Sequence, residues 1–201
     1  SNGINHIVPP AADVSNNFIN KFNNGQPYAI AAGPRRGIIS NPNLVGLEYE
    51  YIRADREYLE PAGFNPIILD RRGDVMIYAD ATGYQRITSA LNNLHVRDLL
   101  ISIEIAIEDI LRNFVFEFND PTTRLEIKSI VEKYLDDVKA VGGIYDYFVV
   151  MDTTNNTAEI IDQNFAILDV GIEPARGMNK VINRLRILGT NQISSGGFTL
   201  A

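Results

Sequence analysis

Two long helical patterns stand back to back between Leu94 and Gly143, and they constrain the fold more than any other part of the chain. In "LHVRDLLISIEIAIEDILRNFVF" the residues Val96, Leu99, Leu100, Ile103, Ile107, Ile110, Leu111 and Phe114 recur at the 3.6-residue period of a helix. Ile101 and Ile105 add apolar surface on the other side, so the spacing predicts a central helix covered by a sheet and by neighbouring elements. "DPTTRLEIKSIVEKYLDDVKAVGG" predicts a second helix. Asp120 is placed to cap it, Pro121 takes the first helical position, and Gly142-Gly143 closes it.

The shorter elements arrange themselves around this pair. "VPPAADVSNNFINKFNNG" predicts a short helix after Pro10, ending at Asn23-Asn24-Gly25. "LEYEYIRADREYLEPAGF" predicts a helix with Leu47, Tyr51, Tyr58 and Leu59 along one side, stopped by Pro61 and Gly63. "NPIILD" (65–70) and "DVMIYAD" (74–80) read as a hairpin turning at Arg71-Arg72-Gly73. "IYDYFVVMD" (144–152) and "AILDVGIEP" (166–174) read as strands on either side of a turn at Asn155-Asn156. "MNKVINRLRILG" (178–189) fits either a helix or a strand, and the last twelve residues have a flexible composition. The order predicts an α/β sandwich of the α+β kind, a mixed β-sheet covered by long helices, to which the family resemblance given below adds extended terminal arms. Residues 1–26 form an N-terminal segment with its short helix, 27–188 the core domain, and 189–201 a C-terminal arm.

At 201 residues, 45% hydrophobic and 21% charged, the chain has the size and composition to bury a core. A net charge of −7 argues against nucleic acid as a direct partner. The charge is also unevenly placed. Arg176, Lys180, Arg184 and Arg186 stand in a stretch from Pro174 to Ala201 that has no acid. An acidic body with a basic end suits head-to-tail association between copies, and a solvated tail fits the same charges. With no cysteine there is no disulfide or thiolate chemistry. No run approaches the apolar length of a membrane span, so no membrane insertion is expected. The chain opens Ser1-Asn2-Gly3 rather than with Met, for which a cloning scar or a cut from a longer polypeptide is the expectation.

No set of residues assembles into a recognisable catalytic or metal site, so neither an enzyme nor a cofactor is predicted. "PYAIAAGPRRG" (27–37) lacks the Gly-Lys-Ser/Thr ending of a phosphate loop, and Pro34 removes a donor that such a cradle needs. Glu104 and Glu108 share a helix face without a Glu-x-x-His partner, and read as a solvated stripe or as mates of Arg97 or Arg112. Asp146, Asp152, Asp162 and Asp169 have no calcium-loop spacing. His95 reads as a cap or packed ring.

Taken in order, these motifs resemble those of the C-terminal core domain of contractile-tail sheath proteins, from about residue 8 to 188. Pro9-Pro10 precedes a short helix; "GQPYAIAAGPRRG" stands where the family has Gly-x-aromatic, Ala-Gly and Arg-Gly; and "AGFNPI" (62–67) stands for Gly-Ile-Asn-Pro-Ile. The first long helix resembles the family's Asn-Val-Arg-Arg helix running into Phe-Val-Phe-Glu-Pro-Asn, and "MDTTNNT" with "IID" resembles its Asp…Asn-Thr…Ile-Asp. Asp98 departs from the second arginine, Phe118 from the proline, and "EPARGMNK" from the usual Pro-Ala-Glu. The resemblance implies a structural subunit that polymerises helically around a tail tube through arms adding strands to neighbouring sheets, and that contracts without nucleotide hydrolysis. It implies other copies, the tube protein, and baseplate and terminator proteins as partners, in a virion tail assembled in the bacterial cytoplasm. Residues 27–37 would be the opening strand and corner of the core, with Arg35 and Arg36 placed for neighbour or tube contacts. Arg176, Lys180, Arg184, Arg186, Ile193 and Phe198 would belong to the arm's interface. A baseplate or adaptor module, and an α/β enzyme with an unrecognised site, are the alternatives.

Overall fold

A computed structural model of the chain describes residues 6–178. The long elements fall where the periodicity places them. Helix α4 runs Leu94–Arg112 and α5 runs Pro121–Ala140. Asp120 caps α5 by accepting the Thr123 N–H at 2.8 Å, with Pro121 at the first helical position. At the other end Gly142 (φ +79°) donates to Lys139 O and Gly143 to Val138 O, both at 3.0 Å. This is the paired C-terminal closure that requires a left-handed residue and so a glycine. The next residue begins β3 (Ile144–Val150), which pairs antiparallel with β4 (Asp169–Pro174) through a bulge between Ile144 and Asp146.

The main core lies between this ribbon and the two helices. Leu99 and Ile103 of α4, Ile127, Val131 and Leu135 of α5, and Ile144, Val149 and Met151 of β3 and its end are all buried in one cluster. Leu135 and Val131 have no exposed surface at all. The opposite face of the ribbon carries Tyr145 and Phe148, both exposed. The Phe148 ring occupies the space over Gly171, its partner on β4, where a Cβ would come within 2.0 Å of it.

Residues 6–93 are built from shorter pieces: α1 (Ala11–Asn23), a single helical turn α2 (Gly33–Arg36), α3 (Arg53–Leu59) and the hairpin β1 (Ile67–Leu69) with β2 (Val75–Ile77). Ile39, Val75 and Ile77 form a small second core, with Val14 and Phe18 of α1 packed against it.

The α+β class stands, and three expectations need correction. Among the described residues the strands form two separate two-stranded antiparallel sheets rather than one mixed sheet. The tight turn between β1 and β2 allows only antiparallel pairing, whereas the longer 151–168 connection returns the chain antiparallel to β3. Helix α3 starts at Arg53, not near Leu47. The Asp55 carboxylate accepts the Ile52 N–H at 3.0 Å and the Tyr49 hydroxyl at 3.2 Å, which fixes the start, with Ile52 extended just before it. Helix α4 is not covered all round: Ile101 and Ile105 are 41% and 54% exposed, on the side away from α5 and the ribbon. No helix among the described residues is long and apolar enough to cross a membrane.

Candidate subunit interface

The stretch 27–37 is a corner, as expected, but contains no opening strand. Ala29 and Ala31 are buried in turn and irregular backbone, after which Gly33 (φ +73°) starts the helical turn α2. Gly37 then passes so close to β2 that an added Cβ would sit 2.6 Å from the Ile77 carbonyl oxygen. Its own carbonyl accepts the Ile77 N–H at 2.9 Å, and Ile38 bridges Met76, so the chain reaches strand geometry only after the corner. Backbone crowding explains the second glycine, and the positive φ explains the first. Arg35 and Arg36 are exposed on this turn.

Arg176 is also exposed, just beyond β4. Lys180, Arg184, Arg186, Ile193 and Phe198 lie outside the described residues. The structure therefore shows two separated exposed sites, at 35–36 and at 176, from the group of interface residues that the sequence predicts.

Two further surfaces are open, a sheet edge of the kind the resemblance implies and a groove that was not anticipated. One is the ribbon: among the described residues, neither β3 nor β4 has a second strand on its outer edge, and the aromatic face of β3 is bare. The other is an apolar groove of about 1080 Å³ between the α4–α5 loop and the segment before β4. Val115, Phe116, Phe118 and Phe165 line it and are all exposed. Phe116 has a positive φ of 74°, a conformation that non-glycine residues seldom adopt. The signal was available in "FVFEF", three aromatics within five residues, of which Phe114 packs against the core and Phe116 and Phe118 are exposed.

The acids and amides resolve into local structure. Glu108 pairs with Arg112 at 2.9 Å, one of the two arginine partners foreseen. Asp146 pairs with Lys139 at 2.9 Å, and this bond holds its carboxyl below the usual carboxylate range. Asp152 is lowered by hydrogen bonds from the Thr154 side chain and backbone. The Tyr147 phenol donates to Asp136 at 2.7 Å and is pushed up to about 12, because ionising it would set two negative charges in contact. Asn156, buried in "TTNNT", exchanges two hydrogen bonds with the Ile167 backbone at 2.8 and 2.7 Å, fixing the segment that leads into β4. Its role was missed because a buried asparagine looks like any turn residue in sequence.

The departures from the family pattern also find partners. Asp98 bonds Lys21 of α1. Phe118 lines the groove, while Asn119 donates to Phe165 O at 2.8 Å and accepts from the buried Arg124 at 2.6 Å. His95 is a packed ring, as expected, between Asp80 and Ala175.

Comparison with known proteins identifies this arrangement. The phage tail sheath C-terminal domain family matches residues 78–187. The tail sheath proteins of Vibrio phage KVP40 and Enterobacteria phage T4 are each 33% identical, over 89% and 90% of this chain. The chain spans only 26% and 27% of the length of those two relatives. The fold is shared with a chain of the anti-feeding prophage baseplate (TM-score 0.80, 19% identity, 90% of this chain and 51% of that one). It is shared equally with a chain of the PVC sheath complex, an extracellular contractile injection system in its contracted state (TM-score 0.81, 18% identity, 90% and 52%). With over half of its residues matched by the family's C-terminal domain, and curated relatives one-third identical along most of its length, the chain belongs to the phage tail sheath family.

Proposed function

We propose that the domain is the repeating structural unit of a contractile tail sheath, polymerising helically around a tail tube and contracting to drive that tube through a cell envelope. The observation that carries this reading is the β3–β4 ribbon. It is buried on one face, aromatic on the other, and without a further strand on either edge among the described residues. An unpaired edge is a template for a strand from another chain, whose main-chain hydrogen bonds give strength without demanding a particular side chain. The head-to-tail donation of such a strand generates an open helix rather than a closed ring. The acid-free stretch from Pro174, carrying four basic residues, complements an otherwise acidic chain and suits the donated segment.

Other copies of the chain are the main partners in this reading, with the tube and the baseplate and terminator proteins at its inner surface and ends. Its setting is the virion tail, assembled in the host cytoplasm. Contraction would be a rigid-body rearrangement between two lattices, driven by their difference in packing energy. A structural rather than catalytic role fits the large groove, whose walls are mostly apolar with Glu117 the one ionisable side chain, a lining suited to covering by another apolar surface. Electron microscopy of the full-length polypeptide tests the proposal. Hollow helical tubes are the expected result, and persistence as monomers with all segments intact would overturn it.

A further inference from the structure

A buried ion pair and a buried imidazole converge on the first turn of α4. Lys21, near the end of α1, has a side chain only 5% exposed and bonds the Asp98 carboxylate. Three residues earlier on the same helix, His95 is buried between two elements. Its Nδ1 bonds the Asp80 carboxylate and its Nε2 lies 3.2 Å from the carbonyl oxygen of Ala175, the residue after β4. Asp80 also ties itself to the helix start, accepting the Leu94 N–H on its carbonyl at 2.9 Å and the His95 N–H on its carboxylate at 3.3 Å. A carboxylate is favoured there by the helix dipole.

The chain leaving β4 is held at three further points. Ala175 N–H donates to Gly143 O at 3.1 Å and Arg176 N–H to the Tyr145 hydroxyl at 3.3 Å. Gly177 runs so close to Ile30 that an added Cβ would lie 2.2 Å from its Cδ1, and 3.8 Å from Cε1 of His95. The exit is therefore pressed between the 27–37 corner and the imidazole.

We propose that residues His95 to Asp98 are a shared anchor for both ends of the domain, holding α1 through Lys21 and the exit strand through Ala175. The anchor itself is a property of the single chain. Its use, which rests on the sheath reading, is to place a clamp between the last ladder bond of β4 and any pull on the chain beyond Met178. Without it, tension would act directly on the Pro174 end of a two-stranded ribbon and peel it bond by bond. Buried ion pairs suit a clamp, because a small displacement leaves a desolvated charge unpaired, whereas apolar surfaces slide at little cost. His95 and Asp98 are thus positioning residues.

Trypsin cleavage of the full chain after Arg176 reads the clamp, since the protease needs the exit segment to open locally and its rate follows the open population. The product ending at Arg176 is followed by mass spectrometry. His95→Phe should raise its rate about tenfold with no change in cleavage after Arg112. Lys21→Met should leave that rate closer to wild type but remove amide exchange protection from Phe18 to Phe22. Tyr145→Phe, which deletes a single acceptor and no core volume, should accelerate cleavage roughly two- to threefold and serves if His95→Phe does not fold. Unchanged cleavage in a folded His95→Phe or Tyr145→Phe protein would overturn the anchor, as would unprotected Ala175 to Gly177 amides in the wild type. These readouts need no assembly, so a failure of the full-length polypeptide to form tubes would sink the sheath reading and leave them untouched.

Discussion

Between Leu94 and Pro174 the domain is dominated by long elements with explicit stops, whereas between Ala11 and Asn93, the helix α1 apart, it is made of short helices, three-residue strands and corners. The later half gathers eight buried residues into one cluster around α5, whereas the earlier half gathers three at the β1–β2 hairpin and buries others, such as Ala29, Ala31 and Ala79, outside that cluster. Both halves fold from the same chain, but they are secured differently. One relies on apolar volume, the other on backbone crowding at glycines and on side-chain bonds such as Asn65 Nδ2 to Ala81 O at 2.9 Å. The comparison teaches that this domain has one rigid block and one facing attached to it.

The largest expected effect tests that division directly. Leu135→Ala should cost about 4 kcal/mol, because the side chain is fully enclosed by α4, α5 and the ribbon and the cavity it leaves has rigid walls. Val75→Ala removes fewer atoms from a small core and should cost about 2 kcal/mol. Denaturant midpoints give the two values. Equal losses would mean that the halves share one core, and the contrast would be gone.

The tie between the halves comes next. Lys21 belongs to the facing and Asp98 to the block, so their bond reports how firmly one is attached to the other. Lys21→Met should destabilise by about 3 kcal/mol, since it strands a mostly buried carboxylate. Adding Asp98→Leu should recover most of that loss. If the double variant is as unstable as the single one, packing of α1 rather than the charge pair holds the facing in place.

How much could be read in advance follows the same line. Helices α4 and α5 and both ends of α5 were legible, because Leu99, Ile103, Ile127 and Leu135 repeat at helical period and Asp120-Pro121 and Gly142-Gly143 are strong punctuation. The start of α3 was not, because Leu47 and Tyr51 happen to sit at helical spacing while the deciding contact is the Asp55 side chain reaching back to Ile52. For residues 27–37 the resemblance implied a strand as well as a corner, yet only the corner forms, with Gly37 pressed against β2. The exposed side of α4 at Ile101 and Ile105 was misjudged because periodicity reports apolar surface, not what lies against it. The exposure of Arg35, Arg36 and Arg176 was legible by charge. The Phe116 groove was not, since the exposure of apolar residues is a property of the fold.

A smaller effect lies on the block's own surface. The Tyr147 hydroxyl bonds Asp136 on α5, and its folded pKa of about 12 lies above the ordinary tyrosine value. The protonated phenol is the stabilising form. Its contribution is fully present below about pH 10 and is lost as pH rises towards 12. Tyr49, beside Asp55, and the partly buried Tyr134 are raised as well, so absorbance titration near the tyrosinate band should show a late phase that shrinks in Tyr147→Phe. A wild-type protein whose tyrosines all titrate near their ordinary value would remove this link between α5 and β3.

The smallest expected effect on the folded chain is at the facing's edge. Arg35 and Arg36 are exposed on α2, and their side chains are not what shapes the corner; Gly33 and Gly37 are. Reversing both charges to Glu should therefore leave the unfolding midpoint unchanged while impairing tube formation by the full-length polypeptide. That split, unaltered stability with altered assembly, is what separates an interface residue from a structural one. A loss of stability would show that the arginines hold the corner after all. Unimpaired assembly and contraction would remove them from the interface, leaving the ribbon edge and the exit at Arg176 as its remaining supports.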